Sequence, residues 1–333
     1  MIKVSVCIPV YGVEKYIEHC ARSLFEQHDP AVEYIFVNDG TPDNSWQVLQ
    51  DTLQEYPECQ KNSKLIDLPQ NGGVENARMT GLAQAAGEYI WFVDSDDLIA
   101  PSAIKAILLT LQENPVDYLA ITLKLLPVGT AMKPVSDSVQ YKSLTAEKLF
   151  YNIINYQGKH GAVCNIVKRR LTVDHPMLKT NLKIAEDYVM HCCWSIFAES
   201  AAILENPVYG YVIRPQSAMN SSKMTSIMQS TRDAMRILAD FAETLPENKQ
   251  MLFKKHLRAA AVRKRMEYFA LFFKQDPPPG IPDLLRDQVQ VQVSLRRDWR
   301  PTALGLRPVL FCDKLKLYKT MRSYLRILKM FGL

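Results

Sequence analysis

Two kinds of apolar pattern alternate along the first 120 residues of the chain. Short continuous apolar runs, typical of strands buried on both faces, are separated by stretches whose apolar residues recur every three or four positions, as in helices. The runs predict strands at 4–9, 33–37, 64–68, 89–93 and 117–122, and the stretches between them predict helices at 13–24, 46–55, 75–86 and 102–112. This alternation predicts an α/β fold with a mostly parallel sheet covered by helices on both faces.

The regular alternation ends near residue 122. Residues 126–135 contain two prolines and a glycine, which predicts a loop or hairpin. Helices are predicted at 145–156 and 186–197, a short strand at 208–213, and a helical, basic stretch after about residue 230 that contains the linker 277–280. We therefore expect a domain at 1–225, with halves at about 1–122 and 123–225, and a helical, basic C-terminal region at 226–333.

Polar side chains directly follow three of the predicted strands. They are Tyr11 after Pro9, Asp39 within Asn38-Asp39-Gly40, and the acidic run Asp94-Ser95-Asp96-Asp97. Because ligands of open α/β sheets bind outside the carboxyl ends of the strands, these groups are expected to meet in one crevice.

The acidic run places three carboxylates within four residues. Carboxylates this close repel one another unless a cation or a hydrogen-bond donor compensates them. Mg²⁺ and Mn²⁺ prefer oxygen ligands and are often held by one or two carboxylates together with substrate phosphates. The run therefore fits a divalent metal site; the alternative is a solvated loop that caps the helix beginning at Ser102.

Four further positions could carry chemistry, and each has a structural alternative. Asn38-Asp39-Gly40 is also turn chemistry, and Tyr11 could stack on a base or lie at the edge of the core. Arg78 could bind a diphosphate or lie on a solvated helix face. Glu186-Asp187 opens a helix, where carboxylates complement the helix dipole, yet Asp187 could also act as a general base.

Taken in order, these motifs resemble the family 2 glycosyltransferases over roughly residues 3–225. The residues that carry the resemblance are Val4–Tyr11, Phe36–Ser45, Asn71–Gly73 with Ala77-Arg78, Gly87–Asp97, Glu186-Asp187 and Arg214–Ser217. Asn38 and Thr41 depart from the family pattern, which commonly has Asp and Ser there. The Gln-x-x-Arg-Trp motif of processive synthases is absent, which favours transfer of a single sugar.

The resemblance implies a GT-A fold with a nucleotide-binding half at about 1–122 and an acceptor half at about 123–225. It also implies a nucleotide-sugar donor, with the donor-binding positions falling on Pro9, Tyr11, Asp39, Arg78, Asp94, Ser95 and Ser217. Tyr11 would stack on the base, and Asp39 would bind it through a ring N–H, which makes a UDP-sugar the expected donor. The loop from Ser217 to Lys223 would close over the diphosphate.

The metal and the base are likewise implied by the resemblance. Asp96 would bind Mn²⁺ or Mg²⁺, with Asp94 in support, and Asp187 would deprotonate the acceptor hydroxyl. The expected reaction is an inverting transfer to a surface polysaccharide, a lipooligosaccharide or another glycan precursor. The alternatives are a nucleotidyltransferase that makes a nucleotide-sugar and a non-catalytic interaction protein on the same scaffold.

The charge is distributed unevenly along the chain. Residues 1–248 hold 21 Lys and Arg against 29 Asp and Glu, whereas residues 249–333 hold 19 against 6. Residues 301–333 have seven basic residues and one Asp, mixed with apolar ones. This tail could lie on an anionic membrane surface or pack on the catalytic domain, and the pattern leaves both open. No recognition motif for nucleic acid is present, and the oligomeric state is not encoded in any pattern we recognise.

The apolar runs and the cysteines bear on location. No run approaches the roughly 18–20 apolar residues of a membrane span. The seven cysteines include no Cys-x-x-Cys pair, and Cys192 and Cys193 are adjacent, which favours reduced core residues. We expect a cytoplasmic protein, placed on the inner face of the membrane if the basic tail binds there.

Overall fold

The structure is a computed structural model that describes residues 2–136, 138–155, 162–176, 178–182, 184–214 and 224–272. The side chains of 224, 225, 228, 262 and 265–272 are outside this description. Ser217, the 217–223 loop, the 277–280 linker and the 301–333 tail, all singled out from the sequence, lie outside the described residues.

The first half of the chain alternates strands and helices as the apolar pattern predicts. The strands are β1 (Val4–Val10), β2 (Val32–Asn38), β3 (Ser63–Asp67), β4 (Tyr89–Phe92) and the short β5 (Leu98–Ile99). The helices are α1 (Ile17–Phe25), α2 (Ser45–Gln54), α3 (Pro57–Lys61), α4 (Val74–Gln84) and α5 (Ala103–Glu113). α4 ends at Gln84, two residues before the predicted end at 86. After it, the Gly87 N–H donates to Ser5 Oγ at 2.8 Å.

The second half adds strands that the sequence pattern predicts only in part. They are β6 (Tyr118–Pro127), β7 (Tyr141–Thr145), β8 (Asn165–Lys168) and β9 (Ser200–Ile213). The helices are α6 (Ala146–Ile154), α7 (Arg169–Asp174), α8 (Glu186–Ser195), α9 (Met224–Thr244) and α10 (Glu247–Phe272). β7 and β8 were not predicted, and β9 begins eight residues before the predicted strand at 208.

The strands join in one sheet in the order β3-β2-β1-β4-β8-β6-β9-β5, with β7 also paired to β9. The four strands β3, β2, β1 and β4 are parallel, and β9 is parallel to β6. β8 runs antiparallel to both β4 and β6, and β5 and β7 run antiparallel to β9. The predicted α/β fold, with parallel strands at the sequence-predicted positions, is confirmed.

Helices cover both faces of this sheet, because successive side chains of a strand point to opposite faces. Trp91 of β4 is buried in the core under α1, α2 and α5, whereas its neighbour Phe92 is buried in the core under α4, α6 and α8. In the second core Phe92 stacks on Trp194 of α8 with ring centroids 6.5 Å apart. The sheet is therefore closed on both faces, and it is open at the carboxyl ends of β1, β2 and β4.

The described part of the C-terminal region packs on the second core. α9 packs on α8 and α10, and α10 also reaches α6, where the rings of Phe150 and Phe253 lie 5.2 Å apart. None of the helices in the described residues is long and apolar enough to cross a membrane.

Candidate functional site

The predicted crevice lies where β1, β2 and β4 end. In the parallel register Val10 is opposite Asn38, so β1 and β2 end side by side, whereas β4 ends at Phe92, opposite Cys7. Tyr11 and Asp39 follow the ends of β1 and β2 directly, and Asp94 follows β4 after Val93. Tyr11 is 48% exposed, as an aromatic able to stack on a ligand must be, whereas Asp39 is only 2% exposed.

Asp39 is held by the beginning of α4. The N–H of Gly72 donates to one carboxylate oxygen at 2.8 Å, and the N–H of Gly73 donates to the other at 2.9 Å. Gly40 makes this approach possible, because a Cβ at that position would lie 2.7 Å from the backbone nitrogen of Asn71. Each carboxylate oxygen keeps a second lone pair that can accept a hydrogen bond from a ligand. The arrangement is compatible with base binding by Asp39, which stays a prediction.

Arg78 joins two acidic clusters that are far apart in the sequence. One terminal nitrogen donates to Asp94 Oδ1 and the other to Glu186 Oε1, both at 2.9 Å. The side chain is only 5% exposed, and the two carboxylates keep the pKa of the guanidinium raised despite its burial. Both ends of its fork are thus engaged within the protein, and its predicted contact with a diphosphate remains a prediction.

The last carboxylate of the acidic run, Asp97, is tied to β9. It accepts hydrogen bonds from the Tyr209 hydroxyl at 2.7 Å and from the Val212 N–H at 2.8 Å, and it is 1% exposed. The same hydroxyl accepts the N–H of Asp94 at 3.1 Å. Tyr209 and Asp97 therefore fix the loop 94–97 against the end of β9.

Asp96 is paired differently from its neighbours. Its carboxylate forms an ion pair with the guanidinium of Arg214, the residue that follows the end of β9. The Asp96 side chain keeps 16% of its surface exposed. Burial, and then the nearby charge of Asp94, raise the pKa of Asp96 to about 6, and Arg214 opposes this shift.

The acidic run meets the chemical requirements of a divalent metal site. Carboxylate oxygens of Asp94, Asp96 and Asp97 lie within 4.8 Å of one another, and hard cations prefer such oxygens. Burial and the charges of Asp96 and Asp94 raise the pKa of Asp97 to about 8. Because Asp97 already accepts two hydrogen bonds from neutral groups, Asp96 and Asp94 are the better ligands in this set.

Glu186 and Asp187 begin α8 on the other side of Arg78. Burial raises the pKa of Glu186 to about 7, with repulsion from Asp187 as the second cause. Burial also raises the pKa of Asp187, and the charge of Arg78 opposes this. Asp187 Oδ2 accepts the N–H of Ala162 at 3.1 Å, and its side chain remains partly exposed. It could therefore reach a bound hydroxyl, as a general base must.

A cavity of about 950 Å³ opens beside Asp96, between α1 and the turn at 128–132. Its lining includes Tyr16, His19, Lys105 and Met132. Of the site residues predicted from the sequence, Asp96 lines this cavity. Tyr11, Asp39 and Asp187 are not among its described lining residues. The exposed edge of Asp96 is thus open to a large space.

The remaining predicted donor residues are placed as follows. Ser95 is buried at 4% exposure within the acidic run, and Pro9 lies in β1 with a partly exposed side chain. Neither position tests the predicted contact with a donor.

Sequence reasoning missed three partners at this site. Glu186 was recognised only as a helix-opening residue, Arg214 only as part of a motif, and Tyr209 not at all. The adjacency of Arg214 to the end of a strand was a usable signal, whereas nothing in the sequence pattern indicated Tyr209.

The model of the glycosyl transferase family 2 matches residues 5–175, about half of the chain, including β1, β2, the 94–97 run and β8. The chain belongs to this family. Among curated relatives, the uncharacterized glycosyltransferase EpsJ of Bacillus subtilis is 38% identical over 114 residues, which are 34% of this chain and 32% of that protein. The poly(ribitol-phosphate) beta-N-acetylglucosaminyltransferase TarS of Staphylococcus aureus is 25% identical over 300 residues, 87% of this chain and 50% of that protein.

The chain spans about a third to a half of the length of these curated relatives. A crystal structure of residues 1–349 of S. aureus TarS in complex with UDP-GlcNAc matches with a TM-score of 0.73 at 24% identity, covering 99% of this chain and 92% of that one. This likeness confirms the predicted GT-A fold.

Proposed function

We propose that this chain is an inverting glycosyltransferase that moves one sugar from a UDP-sugar to a hydroxyl group of a glycan or polyol-phosphate polymer. The observation that carries the proposal is the bridge made by Arg78. The loop 94–97 is called the metal loop from here on. Arg78 pairs with Asp94 of this loop and with Glu186 at the beginning of α8, next to Asp187, and so links the two segments. The relatives that are named for glycosyl transfer, and the TarS structure that holds UDP-GlcNAc, support the same reaction class.

The residues divide the work of one in-line displacement. Tyr11 and Asp39 bind the nucleobase at the ends of β1 and β2. The oxygen of the acceptor hydroxyl attacks the anomeric carbon while Asp187 accepts the proton of that hydroxyl. The bond between the anomeric carbon and the diphosphate oxygen breaks at the same time. A single displacement inverts the anomeric configuration, and the nucleoside diphosphate leaves.

Asp96, with Asp94 in support, would hold Mn²⁺ or Mg²⁺. When bound there, the ion would neutralise charge that develops on the leaving diphosphate. Asp97 positions the loop through β9 and is not needed as a ligand.

A product assay tests the reaction class. The purified chain is incubated with a panel of UDP-sugars, Mn²⁺ and poly(ribitol phosphate) or a glycan acceptor. We expect release of UDP and a product whose anomeric configuration, determined by NMR, is opposite to that of the donor. In a parallel incubation with UTP and sugar 1-phosphates, release of pyrophosphate would instead identify a nucleotidyltransferase. Absence of both UDP and pyrophosphate with every substrate would favour a non-catalytic protein.

We also propose that the basic tail 301–333 holds the enzyme on an anionic membrane surface, on its cytoplasmic face. The support is the excess of seven basic residues over one acidic residue in this segment. The chain should co-sediment with vesicles of anionic phospholipid at low salt and should dissociate at high salt. Equal binding by a variant truncated after residue 300 would contradict this part of the proposal.

A further inference from the structure

Arg214 places a cation on the carboxylate that the proposed metal would use. The guanidinium forms an ion pair with Asp96 and lies over the ring of Tyr16, 5.2 Å from its centroid. The side chain is 20% exposed, and the Asp96 side chain 16% exposed. The contact is thus partly open to the surrounding space.

The backbone that leads to Arg214 is anchored to the same loop. Val212, two residues earlier, donates its N–H to Asp97, and Tyr209 binds both Asp97 and the N–H of Asp94. The end of β9 and the metal loop therefore form one unit. The backbone at Val212 is therefore held beside this loop by contacts that do not involve the Arg214 side chain.

Arg214 differs from Arg78, the other arginine of the site, in its exposure and in its ion-pair partners. Arg78 is 5% exposed and divides its fork between Asp94, 30% exposed, and Glu186, 9% exposed, so moving it would leave two carboxylates uncompensated, one of them buried. Arg214 is more exposed, and the carboxylate it pairs with is the one that a divalent ion would neutralise. It is the cation that can be exchanged.

We propose that Arg214 competes with the divalent metal for Asp96, and that it moves to the diphosphate of the donor when metal and donor bind together. This rests on the proposed function, which supplies both the metal and the diphosphate. Two cations on one carboxylate repel each other, whereas an arginine fork matches phosphate oxygens well. Arg214 is a positioning residue that keeps metal affinity low until the donor is present.

Such an arrangement couples the two ligands. A donor that draws Arg214 away from Asp96 increases the affinity for the metal, and by linkage the metal increases the affinity for the donor equally. If Arg214 covers Asp96 in about 90% of the free molecules, the apparent Kd for the metal is about tenfold weaker than it is without this competition.

Mn²⁺ binding to the full chain tests this without measuring activity. Free Mn²⁺ is followed by electron paramagnetic resonance in titrations with and without UDP. The variants are Arg214→Met, Arg214→Lys, which keeps the charge, and Asp96→Asn. Arg236→Met is the matched control, because Arg236 is 62% exposed on α9 and pairs with Asp233, outside the metal loop.

In the absence of UDP, we expect Arg214→Met to bind Mn²⁺ about tenfold more tightly than the wild type does. Addition of UDP should then strengthen Mn²⁺ binding by Arg214→Met about tenfold less than it strengthens Mn²⁺ binding by the wild type. Arg214→Lys should lie between them, and Arg236→Met should match the wild type. A merely structural role of Arg214 would weaken Mn²⁺ binding instead.

The failures of the two proposals are distinguishable. If Asp96→Asn loses Mn²⁺ binding while Arg214→Met binds as the wild type does or more weakly, the metal site stands and the competition is refuted. If Asp96→Asn binds Mn²⁺ as well as the wild type, or if no variant binds it, the metal assignment itself is wrong and the competition falls with it. Circular dichroism of each variant shows that the comparison is made between folded proteins.

Discussion

The crevice contains two acidic clusters, the loop 94–97, which is the proposed metal loop, and the pair Glu186-Asp187, and they are compensated in different ways. In the loop each carboxylate has a separate partner: Arg78 for Asp94, Arg214 for Asp96, and the neutral donors Tyr209 and Val212 for Asp97. In the pair, Glu186 shares Arg78 with the loop, and Asp187 accepts backbone N–H groups.

Neighbouring carboxylates thus differ in chemistry because different groups contact them. A carboxylate held by a partly exposed arginine can exchange that partner for a metal. A carboxylate that accepts hydrogen bonds from buried neutral donors, as Asp97 does, holds two segments together. A carboxylate that is partly exposed and has a raised pKa, as Asp187 does, can take up a proton. Four substitutions break or sharpen this contrast.

The largest effect is expected for Asp187→Asn. An amide cannot accept the proton of the acceptor hydroxyl, so kcat should fall by about 10³-fold, within the usual contribution of a general base. Binding of UDP, measured by calorimetry, should stay close to that of the wild type because Tyr11 and Asp39, the proposed base-binding residues, lie at the ends of β1 and β2. Asp240→Asn, on the exposed surface of α9, is the matched control. Normal turnover by Asp187→Asn would remove the base assignment.

Arg78→Met should cost stability rather than a single chemical step. Removing Arg78 leaves the buried Glu186 and the 30% exposed Asp94 without their partner, and the loss of the buried pair lowers the free energy of unfolding by about 3 kcal/mol. Urea unfolding followed by circular dichroism measures this. Arg236→Met, which removes an exposed arginine, should cost much less. Equal losses in the two variants would show that the bridge does not stabilise the fold.

The pH dependence of stability should reveal Glu186. Its pKa is raised from 4.5 to about 7 by burial and by Asp187, so the folded chain keeps this proton to a higher pH than the unfolded chain does. Unfolding then releases a proton, and the free energy of unfolding falls as the pH rises from about 4.5 to about 7. Glu186→Gln should show a smaller fall between pH 5 and pH 7.5 in urea titrations. An unchanged slope in that variant would assign the dependence to other groups.

The smallest effect is expected for Asp97→Asn. The amide oxygen can accept the N–H of Val212, and the amide nitrogen can donate to the Tyr209 hydroxyl, so the tie between the loop and β9 is kept. The Kd for Mn²⁺ should change by less than about threefold, which is under 1 kcal/mol. A loss as large as that of Asp96→Asn would make Asp97 a metal ligand instead of a structural residue.

Much of the parallel half of the fold could be predicted from the sequence. β1, β2 and β4 are continuous buried runs, and each is followed at once by polar residues that cannot belong to the core. Position along the chain is therefore enough to place Tyr11, Asp39 and Asp94 at one edge of the sheet. β8 could not be predicted in this way, because its four residues give too short a pattern and its partners β4 and β6 are distant in sequence.

The partners of the carboxylates could not be predicted either. Arg78 and Glu186 are 108 residues apart, and Tyr209 and Asp97 are 112 residues apart. Residue spacing along the chain does not indicate such contacts. The Tyr209–Asp97 contact forms where β9 runs beside the metal loop, and the Arg78–Glu186 contact forms where the beginning of α8 meets α4.

The α/β alternation, the three polar strand ends and the family membership can be read from the sequence, because strand burial and the residues after a strand are local properties. Which carboxylate contacts Arg78, Arg214 or Tyr209 depends on the tertiary structure. Burial and the nearest charge set how each carboxylate behaves, and both depend on distant segments that the folded sheet brings together. Asp94, Asp96 and Asp97 are the same residue type within four positions, and the fold alone distinguishes them.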